Sequence, residues 1–266
     1  MPQEMCDSES HSFALAMQRK LERFYDRIKP FCITTMGSTA CLEFPVHYLE
    51  ILNSHSDATT RRKEWDAIYK NSGNSKPEYD HWLDNYESIL QDADDLPIID
   101  LGCGSGNDTL YLHERGYRVV SCDLSEEALK RLTYFIAEPM TKQFDMLNGL
   151  PFAKDSAKLI IADLSLHYFY WEDTKRVMND IRRVLVNGGH LLCRVNSIRD
   201  TNHGAGQGRR IEKNYIEVQG RLKRFFDREC LEDLFKDWSI EHINEAPLYR
   251  YGKEKILWEV AVKKAG

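Results

Sequence analysis

PIIDLGCGSGNDT, residues 97–109, decides how the rest of the chain is read. Ile98, Ile99 and Leu101 form a short apolar strand that carries Asp100. The strand runs into a turn with glycines at 102, 104 and 106, and a helix is expected from about Asn107. Glycines so closely spaced let the backbone turn sharply and let a ligand approach the main chain. The pattern is G-x-G-x-G. The dinucleotide fingerprint G-x-G-x-x-G fails, because Asn107 stands where its last glycine belongs. Asp100 departs from that fingerprint too: a carboxylate there repels a pyrophosphate and suits an ammonium group or, through water, a cationic ligand.

Composition narrows the surroundings of this turn. The 266 residues suffice for one large domain with an appendage, and 42% hydrophobic content supports a substantial core. A net charge of −6 offers no general attraction to nucleic acid or to an anionic membrane, so neither is expected as a partner. No apolar run approaches the ~20 residues that span a bilayer. The acidic, polar start MPQEMCDSESHS does not read as a targeting peptide. Seven cysteines without a C-x-x-C point to reduced thiols and a cytoplasmic location, and to neither a disulfide framework nor a metal site.

Ahead of the turn, Phe13, Met17, Leu21, Phe24 and Ile28 recur at helical spacing before Pro30, predicting an amphipathic helix over 12–29. The polar NSHSDATT stretch then marks a boundary. It separates a helical extension, 1–60, which caps the domain or makes a homodimer contact, from a main domain, 61–266. RRKEWDAIYK and KPEYDHWLDNYESIL read as two helical pieces split by NSGNSKP. Their rings, among them Trp65, Tyr69 and Trp82, either pack on the main sheet or lie over a cationic ligand, which an aromatic face stabilises by ~0.5–2 kcal/mol.

After residue 97 strands and helices alternate. RVVSCD is a strand ending in an acid, and SEEALKRLTYFIAE a helix capped by Ser125. KQFDM is a short strand, LIIADLSL a strand buried on both faces, and TKRVMNDIRRVL a helix. HLLCRVNS, WSIEHINEA and KILWEVAVKK complete seven strands. This is an α/β pattern, a doubly wound and mostly parallel sheet; the final pair lacks an intervening helix, so an antiparallel edge is expected.

In such a sheet the ligand sits beyond the carboxyl ends of the strands. Those ends are Gly102–Cys103–Gly104, then Asp123 with Leu124, then Asp145 with Met146, then Asp163 with Leu164. D-x-G-x-G-x-G followed by acids on successive strand ends resembles class I S-adenosylmethionine-dependent methyltransferases, most strongly over 98–196. The stretch from LPF to LLCRVNS is similar to bacterial small-molecule members, in the neighbourhood of tellurite-resistance and thiol methyltransferases. The resemblance implies S-adenosylmethionine as cofactor and S-adenosylhomocysteine as product. Asp100, Gly102, Cys103 and Gly104 would then pass by the methionine part, Asp123 would take the ribose hydroxyls, and Asp145 the adenine amino group. Met146 would pack on the adenine ring, and Asp163 and Leu164 would border the methyl.

Acceptor residues are less sharply marked. His167 is either a general base or a packed histidine, and Tyr168 stands beside it. Arg194 either meets an anionic acceptor or pairs with Asp163 or Asp200. The glycine-rich loop 202–208 is a lid or a plain connection. RRIEKNYIEVQGRLKRFFDR holds Arg209, Arg210, Lys213, Arg221, Lys223 and Arg224, either a solvated face or a site for RNA or an anionic substrate. The expected function is methyl transfer to a heteroatom of a small molecule. An RNA or protein acceptor is the alternative, as is a cofactor-binding module without turnover.

Overall fold

The computed structural model describes residues 58–73, 75–93 and 95–265. The expected helix over 12–29, the extension up to residue 57 and any dimer contact made by it lie outside the described residues.

Helix α1 (Ala58–Asn71) comes first. A 3-10 turn (Trp82–Tyr86) leads into α2 (Glu87–Asp92). The helix expected throughout KPEYDHWLDNYESIL begins only at Trp82. Before it, Tyr79 donates to Glu114 at 2.6 Å and Asp80 accepts from Arg194 at 2.6 Å, so this run serves long-range contacts instead of a helical ladder.

The alternation follows: β1 (Ile98–Leu101), α3 (Asn107–Glu114), β2 (Val119–Asp123), α4 (Glu126–Leu132) and β3 (Met140–Gln143). Then come β4 (Ala157–Asp163), α5 (Trp171–Val184) and β5 (Leu185–Asn196). Strand β3 ends earlier than KQFDM suggests, because Asp145 turns to cap a 3-10 turn, accepting the Leu147 N–H at 3.0 Å. The basic run 209–228 folds as a small antiparallel sheet, β6 (Arg209–Glu212), β7 (Tyr215–Val218) and β8 (Arg221–Arg224). Helix α6 (Arg228–Leu234), capped by Asp227, leads to β9 (Trp238–Leu248) and β10 (Lys255–Lys264).

The main sheet has seven strands in the order β3-β2-β1-β4-β5-β10-β9. Strands β1 to β5 are mutually parallel, and β10 runs antiparallel to both β5 and β9. The antiparallel strand is therefore second from the edge, with β9 outermost and parallel to the rest. The order reverses at β1, whose neighbours are β2 and β4, and a crevice opens beyond the carboxyl ends of the strands at such a reversal.

Strand β4 explains why the sheet is covered on both sides. Ile160 and Ile161 are each fully buried, on opposite faces. Ile160 joins Val177, Ile181 and Val184 of α5 and Leu231 of α6. Ile161 joins Trp82, Leu83, Leu90 and Leu112 from the 82–86 turn, α2 and α3. No helix among the described residues is long and apolar enough to cross a membrane.

Because each isoleucine closes a different layer, Ile160→Ala and Ile161→Ala should each lower the unfolding free energy by about 2–5 kcal/mol, read by urea denaturation. A loss under about 1 kcal/mol at either position would contradict the two-layer packing.

Candidate functional site

The turn after β1 is tied to the end of β2 by three hydrogen bonds. The N–H groups of Gly102 and Cys103 both donate to the Cys122 carbonyl, at 2.8 and 2.9 Å. The Gly104 N–H donates to Asp123 Oδ2 at 2.9 Å. Gly102 and Gly104 adopt φ of +77° and +52°, the left-handed region that favours glycine. A Cβ on Gly102 would lie 2.4 Å from Ser165 Cβ, and one on Gly104 2.7 Å from the Tyr69 hydroxyl. Ser165 in turn donates to the Leu101 carbonyl at 2.7 Å, locking the end of β4 under the turn.

Asp123 is half-buried at the mouth of this arrangement. Its second oxygen accepts the Ser125 N–H at 2.8 Å. Burial pushes its carboxyl up, and the main-chain N–H bonds from Ser125 and Gly104 offset only part of that. A carboxylate oxygen can accept more than one hydrogen bond, so both remain able to take a ligand hydroxyl. Leu124 follows directly. On the next strand end, Asp145 is bound by Arg61 at 2.5 Å, and the Met146 methyl lies against the face of Gly102.

Asp100 lies behind the turn and is buried. It accepts the Thr109 hydroxyl at 2.5 Å, and Thr109 is also bonded to Ser121. Burial raises its pKa to about 7, against the Thr109 hydrogen bond and with help from Asp163 and Asp123. Asp108, buried nearby, accepts the Trp82 indole N–H at 3.0 Å and is also shifted well upward, mainly by burial. Cys103 is buried beside them, with its thiol pushed up by burial and then by Asp100.

Asp163, at the end of β4, behaves in the opposite way. Arg194 of β5 grips it through Nε at 2.7 Å and Nη2 at 2.8 Å, and Arg250 reaches the same carboxylate at 3.2 Å. Both arginines also bind Asp80. Burial alone would raise the Asp163 carboxyl; the two guanidiniums outweigh it and hold it below the usual range. Of the alternatives open for Arg194, the ion pair with Asp163 is the one that forms. Its guanidinium stacks 4.6 Å over the Trp82 ring. Trp82 is thereby placed in the core beneath Arg194 and not over the crevice. Leu164 follows Asp163 with φ of +51°, its N–H donating to the Arg194 carbonyl at 2.9 Å, a strained conformation for a branched side chain.

Helix α1 touches the strand ends in turn. Arg61 meets Asp145, and Asp66 accepts the Ser125 hydroxyl at 2.6 Å. Trp65 packs edge-on against Tyr168 at 5.0 Å, and Tyr69 lies over Gly104. So two of the three expected rings, Trp65 and Tyr69, border the crevice. His167 is fully buried, its ring 4.2 Å from that of Tyr168, and its Nδ1 has no hydrogen-bond partner among the described residues. Burial, then Lys255 and Lys223, hold it neutral well below its ordinary pKa. Tyr168 is half-buried, its hydroxyl pushed up by burial.

The loop 202–208 is anchored. Asn202 donates to the Glu254 carbonyl at 2.9 Å, and Gly204 and Gly208 pack against Val218 and the Glu217 carbonyl. These contacts disfavour the lid reading and favour a connection docked on β7. Arg61, Asp80, Ser165 and Arg250 are site residues that sequence reading missed. Asp80 and Arg250 meet across 170 positions, a distance over which no spacing pattern operates.

Residues 99–193 match the family described as "Methyltransferase domain". A demethylmenaquinone methyltransferase of Lactococcus lactis is 30% identical over 123 residues, covering 44% of this chain and 48% of that protein. A tRNA(Thr) (cytosine(32)-N(3))-methyltransferase of Saccharomyces cerevisiae is 24% identical over 196 residues, covering 64% of this chain and 30% of that protein. The chain thus spans less than half the length of these curated relatives. A solved S-adenosylmethionine-dependent methyltransferase of Methanosarcina mazei shares the fold, with a TM-score of 0.60 at 20% identity, covering 71% of this chain and 99% of that one.

Asp100 gives a pH signature of this site. Its native pKa of about 7 lies above the unfolded value of 3.8, so the native state keeps a proton that the unfolded chain releases between those limits. Stability is therefore withdrawn as pH rises through that window. Asp100→Asn should gain stability over the wild type progressively from about pH 4, levelling off above about pH 7 at the order of 2–4 kcal/mol. Urea melts of both proteins across pH 4–8 check this, and a constant difference would refute it.

Proposed function

We propose that this chain, whose described residues carry the class I S-adenosylmethionine-dependent methyltransferase fold and its matched domain, binds S-adenosylmethionine at the β1–β4 strand ends. We infer further that it transfers the methyl group to a heteroatom of a small molecule. The single observation behind the cofactor reading is the carboxylate of Asp123, fixed by two main-chain N–H groups at 2.9 and 2.8 Å and half-open to the crevice. An acid so held accepts two vicinal hydroxyls without reorganising.

The other residues fit the same ligand. Gly102 and Gly104 let Ser165 and Tyr69 pack directly on the main chain beside which a methionine moiety would run, and an ammonium group there would draw the buried Asp100 carboxyl behind them toward its ionised form. Met146 and Asp145 offer an apolar surface and an acceptor to an adenine ring and its amino group. Trp65, Tyr69 and Tyr168 present aromatic faces that favour a sulfonium. The cofactor supplies a methyl on positive sulfur, and the carbon–sulfur electron pair returns to sulfur as the acceptor lone pair attacks in line.

What this chain must do is orient the acceptor and exclude water, which can provide ~7–11 kcal/mol of the barrier reduction. His167, buried with Nδ1 unpartnered, can accept a hydrogen bond from the acceptor heteroatom, while the burial that keeps it neutral opposes full proton transfer to it. Asp163 is neutralised by Arg194 and Arg250, so it shapes the wall. The small-molecule reading draws on the aromatic rings of Trp65, Tyr69 and Tyr168 beside the strand ends and on the demethylmenaquinone relative.

Asp123→Ala should weaken S-adenosylhomocysteine binding by at least about tenfold, measured by isothermal titration, since two charge-assisted hydrogen bonds are lost. Unchanged affinity would remove the ribose assignment.

A further inference from the structure

Helix α1 lies along the crevice on one face. Arg61, Trp65, Asp66, Ile68 and Tyr69 are half-buried, and the residues between them are exposed. From Arg61 to Tyr69 is about 12 Å along a helix. Over that length the face touches Asp145 beyond β3, Ser125 at the start of α4, the Tyr168 ring and the Gly104 main chain. These groups lie along the track that the cofactor reading gives to adenine, ribose, methyl and methionine.

The contact at the adenine end differs from the others. Arg61 Nη2 donates to Asp145 Oδ2 at 2.5 Å, and the Leu147 N–H donates to Oδ1 at 3.0 Å. Only 5% of the Asp145 side chain stays exposed, against 23% for Arg61. Asp123, on the neighbouring strand end, is held by main-chain N–H groups and remains half-open. Asp145 is instead closed by a charged side chain.

An ionised carboxylate only accepts hydrogen bonds, so Asp145 offers an incoming base the same lone pair that it offers Arg61. The guanidinium is the stronger donor, because its bond is charge-assisted. Its partial exposure, and the rotamer freedom that a long side chain gives up in such a pair, weaken the contact enough for exchange.

We propose that Arg61 stands in for the adenine amino group at Asp145 and thereby sets the affinity of the crevice for its adenosyl cofactor. This rests on the methyltransferase reading, with Asp145 as acceptor of the amino group. When the base enters, the guanidinium swings out to water and the amino N–H takes its place at Oδ2. Asp145 is thus partnered in both arrangements. With Arg61 removed, the unliganded protein holds a nearly covered carboxylate with the Leu147 N–H as its remaining printed donor, and such a charge is costly until a ligand completes it. Binding of the amino-bearing cofactor therefore tightens. A base with a keto oxygen at that position has no N–H to exchange and gains nothing.

The test is isothermal titration of S-adenosylhomocysteine and of S-inosylhomocysteine, which carries the keto oxygen, into wild type, Arg61→Gln and Arg61→Lys. Arg61→Gln should bind S-adenosylhomocysteine about tenfold more tightly than wild type and show no gain for S-inosylhomocysteine. Arg61→Lys keeps a competing cation and should stay within about twofold of wild type for both. Weaker or unchanged S-adenosylhomocysteine binding in Arg61→Gln overturns the proposal and leaves the cofactor reading standing. An equal gain for both ligands overturns it as well, since a general loosening of α1 would act on either. On the wild type itself, hydrogen exchange of the Arg61 guanidinium by NMR should quicken when S-adenosylhomocysteine is added, and unchanged or slowed exchange counts against the proposal even if Arg61→Gln fails to fold. Absence of S-adenosylhomocysteine binding in all three proteins removes the cofactor reading, and this proposal falls with it.

Discussion

The Asp123 carboxylate, shared between the Gly104 and Ser125 N–H groups, is the contact on which the crevice depends. One oxygen holds the glycine turn after β1, and the other holds the turn that opens α4. The two bends belong to neighbouring parallel strands, and without a common acceptor their outward-facing N–H groups would need separate partners. Ser125 is drawn in as well: its side chain caps α4 by accepting the Ala128 N–H at 3.1 Å and donates to Asp66 of α1. A single acid thus fixes the floor of the site and indirectly seats the helix that borders it.

The remaining acids of the strand ends are kept in different charge states by unequal surroundings. Asp163 has two arginines and stays ionised, whereas Asp100 has one hydroxyl donor and is held near neutrality by burial. Proximity makes the difference matter. If Asp100, Asp108 and Asp163 were all ionised at this depth, their mutual repulsion would oppose folding, so Arg194 and Arg250 carry the compensation for the group nearest the crevice. Trp82 participates by giving Arg194 an aromatic floor and Asp108 a donor. That explains why its ring is withdrawn from the crevice that Trp65 and Tyr69 border.

The sheet was legible because its signals are local. The continuous apolar run of β4, the glycine turn and the Ser125 cap each depend on residues within a few positions of one another, and each forms where it is expected. The strand ends follow from those, which brought Asp123, Asp145 and Asp163 into view. What escaped was set by distant partners. Asp80 abandons a helix for Arg194 and Arg250, and Asp145 is claimed by Arg61, 84 positions away. In each case a tertiary contact overrides a local preference, and its partner lies too far along the chain for any periodicity to disclose it.

Helix α1 shows how the same limits apply to the site itself. None of its residues is fully buried, and Trp65, Ile68 and Tyr69 are only half-buried, so no fully buried apolar stripe explains its position. It is held instead by directional contacts, Arg61 to Asp145, Asp66 to Ser125 and Trp65 to Tyr168. Two of these use groups, Asp145 and Tyr168, to which the proposed cofactor would also lie close. A helix seated by an apolar face would resist displacement by the full burial energy of that face, whereas one seated by a few polar pairs exchanges them for water at small net cost. The side chains that cover the crevice are therefore the ones most readily rearranged when a ligand enters, while the floor beneath, fixed by main-chain hydrogen bonds and a sheet buried on both faces, stays in place.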